Sequence, residues 1–187
     1  HGDSRLAEKL AERAEREGVD MVIICGDITH GEQSTDNLVG PFVKRGKKVL
    51  LVPGNHESAA TIEFLSKIYD AINLHGDAVI KYDVGIFGCG SANIGLHQMS
   101  DEEAFEMLEF AHEKVKNTKK KIMVTHTHPS NIQMGNLTSI FPGSQAVRRA
   151  VDEFQPDILL CGHVHEAEGI EEKMPKTREI TTSIKQE

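Results

Sequence analysis

The sequence predicts an α/β layered domain with parallel strands at its centre. Three observations point that way. Short apolar runs alternate with helical segments along the 187 residues. The runs are continuous rather than alternating, the mark of strands covered on both faces. Capping residues open helices between them, so each strand is followed by a crossover.

The elements follow in order. Asp3 or Ser4 caps a helix to about Arg16, with Leu6, Leu10 and several alanines on one stripe and Gly18 at its end. Met21–Cys25 is a buried-type strand. Residues 36–45 are weakly helical despite Gly40 and Pro41. Val49–Val52 is a second buried-type strand. A helix runs from Ser58 to about Tyr69, with Ile62, Leu65 and Ile68 on one face. Ala78–Tyr82 and Val84–Gly88 suit a hairpin or a sheet edge. Ser100 to Glu103 forms a capping box for a helix to about Lys116. Ile122–Thr125 is a strand, followed by a long loop holding Gly135, Pro142 and Gly143. Ser144 caps a helix through Phe154, and Ile158–Cys161 is another strand. From Glu166 on the tail is polar, and Ile180–Ile184 suits pairing at an edge. No repeat or linker divides the chain, so residues 1–187 read as a single domain.

Hydrophobic content of 39% and charged content of 27% are those of a globular protein. No apolar run approaches the ~20 residues of a membrane span, so no membrane partner is expected. The net charge of −8 argues against a sequence-tolerant nucleic-acid binder, which needs a basic face. It leaves open a phosphate-containing substrate if metal ions supply the cations. Cys25, Cys89 and Cys161 lie in or beside apolar stretches and form no CxxC pair. Buried free thiols and a reducing, cytoplasmic setting follow.

The informative pattern is what comes after each buried strand. Gly26-Asp27 follows the first, and Pro53-Gly54-Asn55-His56-Glu57 the second. His126 follows the strand ending at Thr125. Gly162-His163-Val164-His165 follows the strand ending at Cys161. Ligands of open α/β sheets bind at the carboxyl ends of the strands. Four strands therefore bring Asp, Asn and several His to one edge. That mixture of imidazole, carboxylate and amide suits Mn, Fe, Co, Ni or Zn better than Mg or Ca. In extended backbone His163 and His165 share a face and can reach two adjacent ions. Asp27 is the candidate to bridge them with its two oxygens. His30, in Gly-Asp-Ile-Thr-His-Gly, is close enough in sequence to reach the pocket, with a solvated loop role equally open. His128 reads as an outer or loop residue, and His75, His97 and His112 as surface or loop residues.

The ordered series Gly26-Asp27, Gly54-Asn55-His56-Glu57, His126 and Gly162-His163-Val164-His165 resembles the calcineurin-like metallophosphoesterase superfamily. The likeness is greatest to its small prokaryotic phosphodiesterase-like branch, where Gly-His-x-His-Glu-Ala also occurs. It spans His1 to about Gly169. The resemblance implies a sandwich of two mixed β-sheets flanked by helices, with the metal site at the C-terminal ends of the central strands. It implies two divalent transition-metal ions, Mn foremost. His1 and His165 would bind the first, Asp27 would bridge, and Asn55, His126 and His163 would bind the second. His56 would contact the phosphate and help the leaving oxygen depart.

The activity implied is hydrolysis of a small phosphate ester, a diester by preference. Two ions roughly 3.5–4 Å apart lower the pKa of a bridging water, and the resulting hydroxide attacks phosphorus in line. A second reading is a binding scaffold like the retromer-type subunit that keeps this fold without much of the metal chemistry. The retained His56, His126, His163 and His165 argue against it. A nuclease is disfavoured by the acidic charge. An oligomer is compatible with all of these.

Two departures from the family pattern carry expectations of their own. The pattern begins with Asp-x-His after an apolar strand, whereas this sequence begins at His1. A strand and an aspartate are therefore expected before that histidine. No Asn-Pro-Gly turn follows Gly-His-x-His either, which leaves the C-terminal sheet edge open.

Overall fold

The computed structural model describes residues 1–131, 143–164, 171–174 and 177–181. In chain order these form α1 (Ser4–Arg16), β1 (Met21–Ile24), α2 (Gly40–Lys44), β2 (Lys48–Leu51), α3 (Ala59–Tyr69), β3 (Ile72–Asn73), β4 (Asp77–Lys81) and β5 (Val84–Cys89). There follow α4 (Asp101–Glu113), β6 (Lys120–Thr125), α5 (Gln145–Phe154), β7 (Ile158–Cys161), β8 (Glu171–Met174) and β9 (Thr177–Thr181).

The described strands build two sheets. One has the order β1-β2-β3 and is parallel throughout. The other has the order β4-β5-β6-β7-β9-β8 and is mixed. Its inner pairs β5–β6, β6–β7 and β7–β9 are parallel, while β4 and β8 run antiparallel to their neighbours.

Side-chain period two explains why the strands read as unbroken apolar runs. Val49 and Leu51 of β2 pack with Ala7 and Ala11 of α1, Phe42 of α2, and Ile62 and Leu65 of α3. The intervening Leu50 turns the other way and meets Ile86 and Val124 of the larger sheet. On that sheet Phe87 and Met123 face Phe105 and Leu108 of α4 and Val147 and Val151 of α5. The result is four layers, helix–sheet–sheet–helix, as the resemblance implies.

Local chemistry sets the helix ends. The Asp3 carboxylate accepts the Arg5 and Leu6 amides at 2.9 and 3.0 Å. Ser100 and Glu103 form the expected capping box. Pro41 sits in the first turn of α2, where its missing N–H is harmless, and the helix predicted over 36–45 shrinks to Gly40–Lys44.

Three expectations need correction. Met21–Ile24 is half-buried rather than fully buried, because β1 is the edge of its sheet among the described strands. Ile68 is 57% exposed; the buried face of α3 runs through Ile62, Leu65 and Ser66 instead, at helical spacing. The C-terminal strand covers Thr177–Thr181 and lies between β7 and β8, not at an edge. Cys25, Cys89 and Cys161 are buried free thiols. Among the described residues no helix is long and apolar enough to cross a membrane.

Candidate metal centre

The loops after β1 and β2 touch backbone to backbone. Gly26 has φ +87° and Asp27 φ +53°. A Cβ on Gly26 would lie 2.6 Å from the Gly54 backbone and from Nδ1 of His126. One on Gly54 would lie 2.0 Å from Oδ1 of Asp27. Only glycine gives the first its left-handed turn and both their closeness. The turn brings the Asp27 carboxylate back over the end of β2, where the His56 amide donates to Oδ1 at 3.2 Å. A non-glycine residue in that region marks a strained, over-determined position.

Asp27 faces two histidines with its two oxygens. Nε2 of His1 lies 3.5 Å from Oδ2, and Nε2 of His126 lies 3.5 Å from Oδ1. His126, just past β6 and 1% exposed, points its Nδ1 at the Cys25 carbonyl at 2.7 Å. A carbonyl only accepts, so Nδ1 carries the proton and Nε2 is left with a lone pair. That Nε2 lies 3.1 Å from Oδ1 of Asn55 and 3.1 Å from Nδ1 of His163, which are themselves 3.0 Å apart.

The His126 nitrogen and the Asn55 oxygen are thus both acceptors, and either a proton on Nδ1 of His163 or a cation among the three atoms satisfies them. Four-coordinate ligand atoms at about 2.1 Å from an ion lie ~3.4 Å from one another, close to the spacing seen. Asp27, His126 and His163 together have the composition of a transition-metal site.

A second group lies beside it. His1, His30 and His56 can also bring one ligand atom each within 4.8 Å of the others. The His56 ring is 4.4 Å from that of His1 and stacks on His30 at 5.5 Å. Nδ1 of His56 is buried with no hydrogen-bond partner among the described residues, so none of them fixes its tautomer. The His30 loop is tied down through Glu32. Its carboxylate accepts the Ser58 amide and hydroxyl, both at 2.7 Å, and the Thr61 hydroxyl. These bonds hold its pKa down at about 2.

The structure therefore brings together His1, Asp27, Asn55, His56, His126 and His163, with His30 at the rim. His165 lies outside the described residues. The extended-backbone reading of His163 to His165 fails at its first residue, because His163 has φ +71° beyond the end of β7. His128, read as an outer or loop residue, is 2% exposed. His75, read as surface or loop, is half-buried and accepts the Gly90 amide at 3.1 Å.

Glu57 is a functional residue that residue type and spacing alone do not mark. It is fully buried. Oε1 accepts the amides of Gly54 and Ile28 at 3.1 and 3.2 Å, and Oε2 the Thr29 hydroxyl at 3.3 Å. It thus ties the Asp27 loop to the Asn55 loop. Burial, with the Asp27 charge adding to it, pushes its pKa up to about 7. A signal existed: an acidic residue directly after Gly-Asn-His, in a turn otherwise apolar on its strand side.

A two-layered sheet sandwich with an Asp–Asn–His cluster at its strand ends is the arrangement expected of a calcineurin-like, metal-dependent phosphoesterase. Residues 1–167 match the calcineurin-like phosphoesterase family, and the chain belongs to it. That family uses divalent metal ions to hydrolyse phosphoesters. The chain is 28% identical over 176 residues to "Uncharacterized protein MJ1162" of Methanocaldococcus jannaschii, across 86% of this chain and 76% of that one. Its fold is similar to the crystal structure of TT1561 of Thermus thermophilus, with TM-score 0.78 and 17% identity over 98% of this chain and 86% of that one. It is also similar to phosphopantetheinyl hydrolase of Mycobacterium tuberculosis, with TM-score 0.59 and 14% identity over 87% of this chain and 78% of that one.

Proposed function

We propose that the chain is a two-metal phosphodiesterase acting on a small phosphate ester in the cytoplasm, with residues 1–187 working as one domain. The observation that carries this reading is the Asp27 carboxylate, whose two oxygens face His126 and His1 at 3.5 Å each. It is placed to bridge two ions, manganese being the first choice. Asn55, His126 and His163 would hold one and His1 and His165 the other. Bound there, the ions supply Lewis-acid polarisation of the phosphoryl oxygens and a water of lowered pKa.

The chain's own groups do the rest. His126, with its Nδ1 proton held by Cys25, keeps Nε2 presented in one orientation. Glu57 holds the two ligand-bearing loops in register. His56 reaches the ester oxygen and delivers a proton to it as the alcohol leaves. His30, stacked on His56, contacts the phosphate from the rim. The preference for diesters is supported by the likeness of the Gly162–His165 stretch to the phosphodiesterase-like branch.

The test is manganese-dependent hydrolysis of bis(4-nitrophenyl) phosphate against 4-nitrophenyl phosphate. The diester is expected to turn over faster. Asp27→Ala is expected to abolish the reaction. His56→Ala is expected to lower kcat by about 10²–10⁴-fold with metal still bound. Faster turnover of the monoester, or full activity in Asp27→Ala, would overturn the proposal.

A further inference from the structure

Residues 90–99, after β5, form a small structure of their own leaning over the metal centre. The Met99 amide donates to the Ala92 carbonyl at 2.9 Å, and Ala92 and Gln98 form a β-bridge. The Gln98 side-chain amide closes the turn on the Gly95 carbonyl at 3.1 Å. At its base the Ser91 amide donates to the Pro53 carbonyl at 2.7 Å, and at its tip the His97 amide donates to the Asn55 carbonyl at 3.3 Å.

The tip lies on Asn55 itself. A Cβ built on Gly95 would fall 2.5 Å from the Asn55 amide nitrogen. One built on Gly31, next to His30, would fall 3.6 Å from Cδ1 of Leu96. Leu96 therefore spans from the side of Asn55 to the side of His30. It is 71% exposed, and Ile94 on the same tip is 48% exposed.

Two exposed branched aliphatics on an anchored tip, continuous with a polar site, mark a ligand surface more than a stray apolar contact. The rim that Leu96 approaches at Gly31 is imidazole: His30, with His56 and His1 beside it. The site thus sets apolar side chains next to polar ones.

We infer that Leu96, with Ile94 beside it, is the lip that receives an apolar alcohol group of the phosphoester substrate. The inference rests on the phosphoesterase reading above, and it names the substrate class as esters of phosphate with an apolar alcohol. The phosphate lies among the metal ligands while the alcohol covers Leu96 and removes it from water.

The experiment is calorimetric titration of the manganese-loaded protein with hexyl phosphate and with methyl phosphate. Hexyl phosphate is expected to bind at least about tenfold tighter, the gain from burying one large aliphatic contact. The double variant Leu96→Ser/Ile94→Ser is expected to lose that advantage while binding methyl phosphate as before. These side chains are exposed, so the fold survives the change. Equal affinity for the two phosphates in the native protein would overturn the inference. So would binding of neither, or an advantage kept by the double variant. Hydrolysis of bis(4-nitrophenyl) phosphate, assayed in parallel, reads the enzymatic claim separately, because that assay contains neither alkyl phosphate.

Discussion

Nδ1 of His126 lies 2.7 Å from the carbonyl oxygen of Cys25. This one contact ties the end of β6, in the larger sheet, to the end of β1, in the smaller. It also decides which ring nitrogen faces Asp27. Orienting bonds of this kind set the basicity and direction of a ligating histidine. His126→Ala removes both the proposed ligand and the tie, and affinity for manganese, the proposed ion, is expected to fall by at least about 100-fold. Calorimetric titration of the two proteins with Mn²⁺ is the check. Unchanged affinity would remove His126 from the centre.

Gly26→Ala should damage both the fold and the site. The new methyl would stand 2.6 Å from backbone atoms of Gly54 and from His126, at φ +87°. None of these neighbours is the free end of a flexible side chain. A loss of at least about 2 kcal/mol is expected, read as a lower urea midpoint. Gly18→Ala is the contrasting case. Its φ is +64°, but a Cβ there meets nothing within 4 Å. It should suffer the backbone strain alone and lose about 1 kcal/mol.

Glu57 separates a steric role from a hydrogen-bonding one. Glu57→Ala leaves the Gly54 and Ile28 amides without their acceptor and the Thr29 hydroxyl with only the His56 carbonyl at 3.5 Å. About 1–3 kcal/mol of destabilisation is expected. Glu57→Gln keeps an oxygen for both amides and can donate to Thr29, so it should lose under about 1 kcal/mol. Equal losses in the two variants would show that filling the space is all Glu57 does.

His75 predicts a pH dependence of stability. Burial lowers its pKa from 6.5 to about 4, and its Nδ1 already accepts the Gly90 amide. Between those pH values the unfolded chain takes up a proton that the folded chain refuses. The stability due to neutral His75 is whole above pH 6.5 and is lost as pH falls towards 4. The loss amounts to up to about 3 kcal/mol, reduced to the extent that solvent reaches the ring. In His75→Asn, which keeps an acceptor for Gly90, this part of the pH slope should vanish. Urea denaturation of the metal-free proteins at pH 7.5 and 4.5 measures the difference. Parallel slopes would contradict it.

Much of the layering was readable because both faces of each sheet are covered. Continuous runs such as Val49–Val52 have no other economical explanation, and the helix caps at Asp3, Ser58, Ser100 and Ser144 are local chemistry. What could not be read depends on neighbours distant in sequence. The half-burial of β1 follows from its edge position. Ile68 points away because the α3 contact face rotates towards Ile62 and Leu65.

The site shows the same division. Residue types and their place after strands marked Asp27, Asn55, His126 and His163 as neighbours. The left-handed turns at Asp27 and His163 were not marked, since neither residue requires such a conformation by itself. Nor was Glu57, whose three partners come from two loops nearly thirty residues apart in sequence. The apolar lip at Leu96 was equally hidden, because only the fold brings residues 90–99 over Asn55.

In the proposed reaction Asp27 bridges two ions that hydrolysis needs. Metal analysis of the manganese-reconstituted chain, coupled to diester hydrolysis before and after chelation, tests it most directly. Two ions per chain are expected, with hydrolysis lost when they are stripped and recovered when Mn²⁺ returns. Fewer than one ion per chain, or hydrolysis undiminished after the ions are gone, would contradict it.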